Sequence, residues 1–378
     1  MTAAAVIVFW LALGLLVYAQ LGYGLALALL GRLLSGRPLR APDGAAPDPG
    51  VTLVVAAHDE EAVIEAKVAD ALALHWPRER LKVIVACDGC SDRTAQLARA
   101  AGADLVLELP WGGKVRAQDA AVREATGELV VFSDANATWE PDALRRLVEA
   151  FADPEVGYAC GQVHFVGEAG TNQEGTYWRY ELWLRATESR LASVTAGNGA
   201  IYAVRREAYV EVDPIMGHDL SLPFNLVKRG WRAVYQAEAR ATEKMVPSIE
   251  GEFARKRRMM SHTWPIVLRG GMLSPRGYPP RYAVMMASHR VLRYATPFLH
   301  VVALAANALL LSESALYVVT FAAQVALLAA ALAGGAVRAR PLLVARYYVL
   351  TTATIAAGLW DWLRHGTPAG WEAAEGTR

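Results

Sequence analysis

The sequence predicts an α/β domain with a mainly parallel sheet, joined to transmembrane α-helices. Three observations lead to this prediction. Short β-rich runs alternate with helical patterns between residues 51 and 246. An uncharged apolar run covers residues 3–31, and three further apolar segments lie near the end of the chain. Of the 378 residues, 54% are apolar and only 20% are charged, so a purely soluble or disordered protein is not expected.

The charge balance argues against one large class of partners. The 38 Lys and Arg residues and the 37 Asp and Glu residues leave a net charge of +1. No basic field is available to hold a nucleic-acid backbone, so nucleic acid is not an expected partner. The three cysteines, Cys87, Cys90 and Cys160, are too few for a disulfide framework. The Cys-x-x-Cys spacing fits a redox or zinc site, but no second pair accompanies it.

Residues 1–31 are predicted to form an N-terminal transmembrane helix, because their apolar run exceeds the ~20 residues that span a bilayer. A secretory signal peptide is the alternative, but it needs basic residues before a shorter apolar run. Here the first charges are Arg32, Arg37 and Arg40. By the positive-inside rule they place the N-terminus outside and the next segment in the cytoplasm. Residues 32–50, rich in Pro, Ala and Gly, are predicted to be a linker.

Residues 51–250 are predicted to form the α/β domain. The predicted elements are strand 51–57, helix 60–74, strand 81–86, helix 92–101, strand 104–107, helix 115–125 and strand 129–132. This alternation indicates βαβ units. In such sheets the ligand crevice lies beyond the carboxyl ends of the strands. His58, Asp59 and Glu60 follow the first strand, Asp88 the second and Asp134 the last, so they are candidates for the site.

Residues 251–290 are predicted to be an interfacial amphipathic segment, because four consecutive cations, 255–258, lie among apolar residues. Residues 291–362 then supply three transmembrane helices, near 291–311, 315–334 and 342–360, followed by a tail, 363–378. Four spans keep the arginine-bearing loops inside and leave both termini outside a cell or inner membrane. The alternative, a helical soluble core, would need partners for four fully apolar helices.

Several of the polar residues at strand ends and helix starts suit phosphate chemistry. Asp134 and Asn136 offer two hard oxygen donors to Mg²⁺ or Mn²⁺, although a helix cap or an Asx-turn is an equal alternative. The Gly112-Gly113-Lys114 turn opens a helix whose N–H groups can face an anion, although a solvated lysine is the simpler interpretation. Asp88 could accept from a nucleotide base or ribose, whereas its neighbour Asp92 is typical of an N-cap.

A second group of candidates lies further along the chain. Asp219 follows a glycine at a helix start, where it is either a general base or an N-cap. Arg258 could hold a diphosphate bidentately, while the cationic run as a whole suits anionic lipid.

Taken in this order, the motifs resemble the membrane-bound family 2 glycosyltransferases with a GT-A fold. That group includes hyaluronan and cellulose synthases and lipid-directed sugar transferases. The resemblance covers about residues 51–264. The matching motifs are Val54 to Glu61, Asp88 to Thr94, Gly113-Lys114, Ser133 to Asn136, Gly197 to Ala200, His218-Asp219 and Arg255 to Met259.

The resemblance implies an inverting transfer from a nucleotide-diphosphate sugar to an acceptor hydroxyl, with Mg²⁺ or Mn²⁺ as cofactor. It makes Asp219 the catalytic base, and it gives the metal to Asp134 and Asn136. The implied donor-binding residues are Ala57, Glu60, Asp88, Lys114, Asp134, Arg255 and Arg258. The implied acceptor-binding residues are Asn198, Gly199, His218 and Trp264.

Four departures from the family pattern bear on function. Asn136 replaces a second Asp, Asp119 stands where Asn often follows the Gly-Lys step, and His218 replaces the first acid of the base motif. Met259 stands in place of the tryptophan that binds a growing polymer in processive synthases. That replacement and the small number of spans favour a lipid or lipid-linked acceptor at the membrane. A processive polysaccharide synthase is the first alternative, and a catalytically silent nucleotide-sugar-binding scaffold is the second.

Overall fold

The structure is a computed structural model that describes residues 2–39, 48–166, 173–244 and 249–369. The chain divides into two compact units. An α/β unit comprises residues 33–247, 265–283 and 367–378, and a helical unit comprises residues 1–32, 248–264 and 284–366. Each unit is described by itself below.

Eight strands form one sheet among the described residues of the α/β unit. They are β1 Val51–Ala57, β2 Leu81–Asp88, β3 Leu105–Leu109, β4 Leu129–Asp134, β5 Thr138–Trp139, β6 Val156–Val166, β7 Ile201–Arg205 and β8 Arg232–Lys244. Their order across the sheet is β3-β2-β1-β4-β7-β6-β8-β5. The first four strands of this order, β3, β2, β1 and β4, are parallel to one another, while β7 is antiparallel to β4 and β6. Strand β8 is parallel to β6 and antiparallel to β5.

Helices precede, connect or follow these strands along the chain. In chain order the helices are α1 Thr2–Val17, α2 Tyr23–Leu33, α3 Ile64–Leu72, α4 Thr94–Ala100, α5 Lys114–Arg123, α6 Ala143–Glu149, α7 Gln173–Leu191, α8 His218–Lys228, α9 Ile249–Leu268, α10 Pro280–Met285, α11 Leu292–Ala308, α12 Ala315–Ala333 and α13 Arg340–His365. Short 3₁₀ and π-helical turns flank several of them. Every residue of β1 is buried, as expected for a parallel strand covered on both faces.

The parallel strands bring the carboxyl ends of β1, β2 and β4 to one edge. Ala57 pairs with Cys87 of β2, and Ala56 pairs with Asp134 of β4. The side chains that follow these strands therefore lie side by side. Cys87 is buried, and both it and Cys90 are free thiols.

The predicted fold class, GT-A-like α/β with a mixed but mostly parallel sheet, is confirmed. Strand β1 has the predicted bounds, and β2 and β4 extend two residues beyond their predicted ends. The helix expected from residue 60 begins at Ile64 instead, because Glu60 lies in a turn whose carbonyl accepts the N–H groups of Val63 and Ile64.

Three helices among the described residues are long and apolar enough to cross a membrane: Ala3–Leu33, Ala315–Ala333 and Arg340–His365. The fourth predicted span, residues 291–311, is not among them. It overlaps α11, which follows α10 and a π-helical turn, Met286–Val291, without a break and contains Pro297. The fourth span stays a prediction.

The predicted interfacial segment begins with α9, and its cations pair inside the helical unit. Arg257 donates to both carboxylate oxygens of Asp361 at 2.6 Å, and Lys256 donates to the Tyr347 hydroxyl at 2.8 Å. Lys256 and Arg257 thus bind protein groups in this structure. The contact of residues 255–258 with anionic lipid stays a prediction.

Candidate active site

Two loops at the carboxyl ends of β1 and β2 hold each other. Asp59 has a positive φ of 51° and accepts the Ser91 N–H at 2.7 Å. This hydrogen bond lowers the pKa of Asp59, so its carboxylate stays ionised. Glu60 donates its N–H to the Thr94 hydroxyl at 2.7 Å. Asp92 accepts the Thr94 N–H at 2.9 Å, but the N-cap of α4 is Arg93, so the predicted N-cap position of Asp92 is wrong by one residue.

Asp88 fastens the glycine turn that precedes α5. Its two carboxylate oxygens accept the N–H groups of Gly112 at 2.7 Å and Gly113 at 2.8 Å, and the residue is only 1% exposed. The N–H groups of Gly112 and Gly113 are therefore bound by Asp88, while the prediction that the N–H groups of the helix they open face a ligand anion stays a prediction. The predicted contact of Asp88 with a nucleotide stays a prediction, since both of its oxygens already hold the turn.

Lys114, the first residue of α5, reaches the end of β4. Its ammonium group donates to Asp134 Oδ1, and both side chains are about three-quarters buried. Burial alone would lower the pKa of Lys114, but the attraction of Asp134 and Asp219 outweighs it, so the pKa is raised. Lys114 is therefore charged and lies in the field of two carboxylates.

Gly199 lies against this ion pair. A Cβ at Gly199 would be 3.4 Å from Lys114 Nζ and 3.6 Å from Asp134 Oδ2. The absence of a side chain thus keeps the space beside both charges open, which supports the expected position of this turn next to the reacting groups.

Asp219 lies in the first turn of α8, and a proline explains how it is anchored. Pro223 has no N–H, so the Asp219 carbonyl lacks its usual helical donor four residues later. That carbonyl accepts the Gly197 N–H at 2.7 Å instead. Burial raises the pKa of the Asp219 carboxyl, while Lys114 and the Leu220 N–H lower it and Asp134 raises it. Pro223 thus ties the candidate base to the turn that carries Gly199.

Two predicted acceptor residues have internal roles in the structure. Asn198 donates to the Gly161 carbonyl at 2.6 Å and accepts the Ile201 N–H at 3.0 Å, so its amide shapes the turn. His218 is only 4% exposed, and its ring nitrogens face the hydroxyls of Tyr202 and Tyr209. The prediction that His218 contacts the acceptor is wrong, because its ring points into the core.

The other predicted site residues fall into two groups. Ala57 is buried at the end of β1, and Glu60 is 1% exposed in the turn after it. Arg255, Arg258 and Trp264 belong to the helical unit. Within that unit Arg255 pairs with Glu252 at 2.7 Å, and the Trp264 indole N–H donates to the Ile355 carbonyl at 2.8 Å. Their roles in donor and acceptor binding stay predictions.

The sequence prediction missed two features near the site. Asp119, 5% exposed on α5, accepts the Tyr209 hydroxyl at 2.5 Å, and its only sequence signal was the departure from the family's Asn. The second feature lies at the far end of the described chain. A Cβ at Gly113, whose φ is 96°, would be 2.0 Å from the Ala369 carbonyl oxygen, so the C-terminal segment contacts the glycine turn.

The residues at the end of β4 fit a divalent cation. Asp134 binds the Lys114 ammonium group through Oδ1. Its second oxygen, Oδ2, faces space that a side chain at Gly199 would partly fill, so the glycine leaves room for an ion there. Asn136 follows two residues later and is half-buried. A carboxylate and an amide oxygen are the hard donors that Mg²⁺ and Mn²⁺ prefer.

Comparison with known proteins agrees with this arrangement. The family model described as "Glycosyltransferase like family 2" matches residues 47–261, more than half of the chain. The chain belongs to this family. As a family 2 chain it is 27% identical over 236 residues to an N-acetylglucosaminyltransferase of Rhizobium leguminosarum bv. viciae, covering 56% of this chain and 54% of the relative.

A second relative and one solved structure carry different sugars in their names. A β-monoglucosyldiacylglycerol synthase of Synechocystis sp. is 30% identical over 256 residues, covering 59% of this chain and 50% of the relative. The chain thus spans about half the length of the curated relatives it matches. A mannosyltransferase of Pyrobaculum calidifontis, solved with GDP-Man and Mn²⁺, superimposes with a TM-score of 0.72 at 24% identity, covering 96% of this chain and 99% of that one. This likeness shows the shared fold.

Proposed function

We propose that this protein transfers a sugar, with inversion at the anomeric carbon, from a nucleotide-diphosphate sugar to a hydroxyl of a lipid or lipid-linked acceptor. The observation that carries the proposal is the placement of Lys114, whose charge acts on both Asp134 and Asp219 while Gly199 leaves space beside it. Asp134 is the carboxylate proposed to lie beside the donor diphosphate, and Asp219 is the candidate base. A cation near both can stabilise the negative charge that develops on the departing diphosphate.

Asp219 is the proposed general base. In an inverting transfer one carboxylate removes the proton of the attacking hydroxyl, which is typically worth 10²–10⁴-fold in rate. Its raised pKa makes it a stronger base than an exposed aspartate, and Lys114 keeps it ionised by opposing the effect of burial. The Gly197 N–H holds its backbone carbonyl, so the carboxylate approaches the acceptor from a fixed turn.

The donor diphosphate is assigned to the end of β4. Asp134 and Asn136 would hold Mg²⁺ or Mn²⁺, which neutralises charge on a departing diphosphate. Lys114 contributes preorganised positive charge to the same group, and Asp88 keeps the glycine turn before Lys114 in place. The mannosyltransferase structure, which holds GDP-Man and Mn²⁺, supports this assignment.

The acceptor and the membrane location are proposed together. The name of the Synechocystis relative specifies a glycolipid product, and three candidate spans are few for a polymer channel. Trp264 is 7% exposed and gives its N–H to a backbone carbonyl, which leaves it poorly placed to stack on a growing chain. We therefore favour a lipid acceptor over polysaccharide synthesis.

We further propose that the α/β unit lies on the cytoplasmic side, where nucleotide sugars are made, and that the N-terminus is outside. The C-terminus was predicted outside as well, and its side stays a prediction. We propose instead that residue 369 lies on the same side as the α/β unit, because a Cβ at Gly113 would be 2.0 Å from the Ala369 carbonyl oxygen and both residues belong to that unit. Two spans after residue 284, the candidate spans α12 and α13, would return the chain to the side on which it started.

The test is nucleotide release by the purified full-length protein. It is incubated with a panel of UDP-, GDP- and dTDP-sugars, Mn²⁺ and a lipid extract, and the nucleoside diphosphate is measured. We expect release with at least one donor, a loss of at least 10²-fold in Asp219→Asn, and a lipid product with inverted anomeric configuration by NMR. Asp213→Asn is the matched control, because Asp213 is exposed in the loop before α8.

The alternatives give different results in the same assay. Products carrying many sugars would identify a processive synthase. Binding of a nucleotide sugar without release would identify a silent scaffold. Full activity in Asp219→Asn would overturn the assignment of the base.

A further inference from the structure

A buried hydrogen-bonded chain lies directly behind the candidate base. Asp119 of α5 accepts the Tyr209 hydroxyl at 2.5 Å, and the Tyr209 oxygen lies 3.3 Å from His218 Nε2. On the other side of the ring, His218 Nδ1 lies 3.0 Å from the Tyr202 hydroxyl, which accepts from the Gln118 amide at 3.2 Å. The chain thus joins α5, β7, the segment after β7 and the first residue of α8.

The donors and acceptors in this chain fit only one arrangement when Asp119 is ionised. A carboxylate can only accept, so the single Tyr209 proton goes to Asp119. Tyr209 oxygen can then only accept from His218, which places the ring proton on Nε2. Burial and the charge of Lys114 lower the pKa of His218 to about 3, so the ring is neutral and Nδ1 accepts from Tyr202.

The surroundings of the two titratable members are mixed in charge. Asp119 faces Tyr209, the His218 ring at 3.9 Å, and more distantly Glu211 and Arg123. His218 also feels the charge of Lys114. Burial raises the pKa of Asp119 to about 6, so the carboxylate is mostly ionised at neutral pH.

His218 and Asp219 are consecutive residues of the first turn of α8. The His218 ring points into the core, while the Asp219 carboxylate lies in the field of Lys114. Because the two residues share one peptide bond, a displacement of the His218 backbone that follows the loss of its ring contacts would also move the base. A misplacement of about 1 Å can cost on the order of 10²-fold in rate.

We propose that Asp119 is a positioning residue that acts through Tyr209, fixing the tautomer and orientation of His218 and thereby the place of Asp219. This inference rests on the proposed role of Asp219 as the base. It also accounts for two departures from the family pattern together, because the acid missing at position 218 is supplied from position 119.

The main test is Tyr209→Phe, which breaks the chain between Asp119 and His218 but removes only one hydroxyl. We expect kcat to fall by roughly 10–100-fold, while KM for the nucleotide sugar changes less than about twofold, since no donor contact is altered. The matched control is Tyr278→Phe. Tyr278 is half-buried, and its hydroxyl donates to the Met272 carbonyl at 3.1 Å and takes no part in this chain of hydrogen bonds, so this variant should keep the wild-type kcat.

A second measurement uses no substrate. Because the pKa of Asp119 is raised on folding, this residue stabilises the folded state increasingly as the pH falls from about 6 to 4. Asp119→Asn lacks this contribution, so its folding equilibrium constant should fall relative to that of the wild type by about 30-fold in total as the pH falls from 6 to 4. Chemical unfolding of both proteins in detergent measures the ratio.

The outcomes separate this inference from the proposed function. If Asp219→Asn is inactive but Tyr209→Phe retains wild-type kcat, the positioning role is wrong and the base is not. Wild-type kcat in Asp119→Asn at pH 7 would also overturn the inference, because the carboxylate at position 119 would then not position the base. If the wild type releases nucleotide from no donor, the proposed function fails by itself.

Discussion

Replacement of Asp88 by Asn tests whether this carboxylate organises the glycine turn or reads the nucleotide. Asp88 accepts two backbone N–H groups, from Gly112 and Gly113, in a buried position. An Asn side chain can accept only one of them, and its NH₂ group would face the other donor. Hydrogen bonds to a charged group are each worth about 1.5–3 kcal/mol. The loss of one hydrogen bond and the weakening of the other should lower the free energy of unfolding by about 2–4 kcal/mol.

The assay is thermal unfolding together with donor KM. A destabilisation of this size lowers Tm by roughly 4–16 °C in a domain of about 200 residues, and KM should rise for every donor because Lys114 follows the turn. Asp213→Asn is the matched control, because Asp213 is exposed and its side chain accepts the backbone N–H of Ile215 at 3.1 Å, which an Asn oxygen can also accept. A Tm within about 1 °C of the wild type, combined with a changed preference among nucleotide bases, would refute this reasoning and favour direct base contact.

Three further predictions concern the groups around Asp219. Lys114→Met removes the charge that lowers the pKa of Asp219; because the base works when ionised, the acidic limb of kcat should move to higher pH, and an unmoved limb would contradict the proposed field. Pro223→Ala supplies an N–H that competes for the Asp219 carbonyl; amide exchange at Gly197 should quicken and kcat should fall several-fold, whereas unchanged exchange would argue against the shared carbonyl. Gly113→Ala places a Cβ in the left-handed region and 2.0 Å from the Ala369 carbonyl; we expect a loss of about 1–2 kcal/mol in stability and a raised donor KM, and wild-type values for both would exclude a tight turn here.

The parallel half of the sheet was predictable because its strands carry their own signal. A strand buried on both faces is a continuous apolar run, and β1 therefore has the predicted bounds. The edge at which β1, β2 and β4 end follows from their parallel order, so Asp88 and Asp134 were correctly placed near one another.

The partners of the site residues were not predictable from local pattern. Nothing near Asp88 indicates that its acceptors serve a turn 24 residues later. The family resemblance made His218 an acceptor-binding residue, but its burial depends on Tyr202 and Tyr209, which come from β7 and the segment after it.

The hydrogen bond between the Gly197 N–H and the Asp219 carbonyl has a consequence for how this protein tolerates changes in length. It joins the two ends of the stretch that separates these residues, and Glu211, Asp213 and Pro214 within that stretch are exposed. Insertions between residues 211 and 214 can therefore lengthen the loop at little entropic cost while the two ends of the stretch stay together.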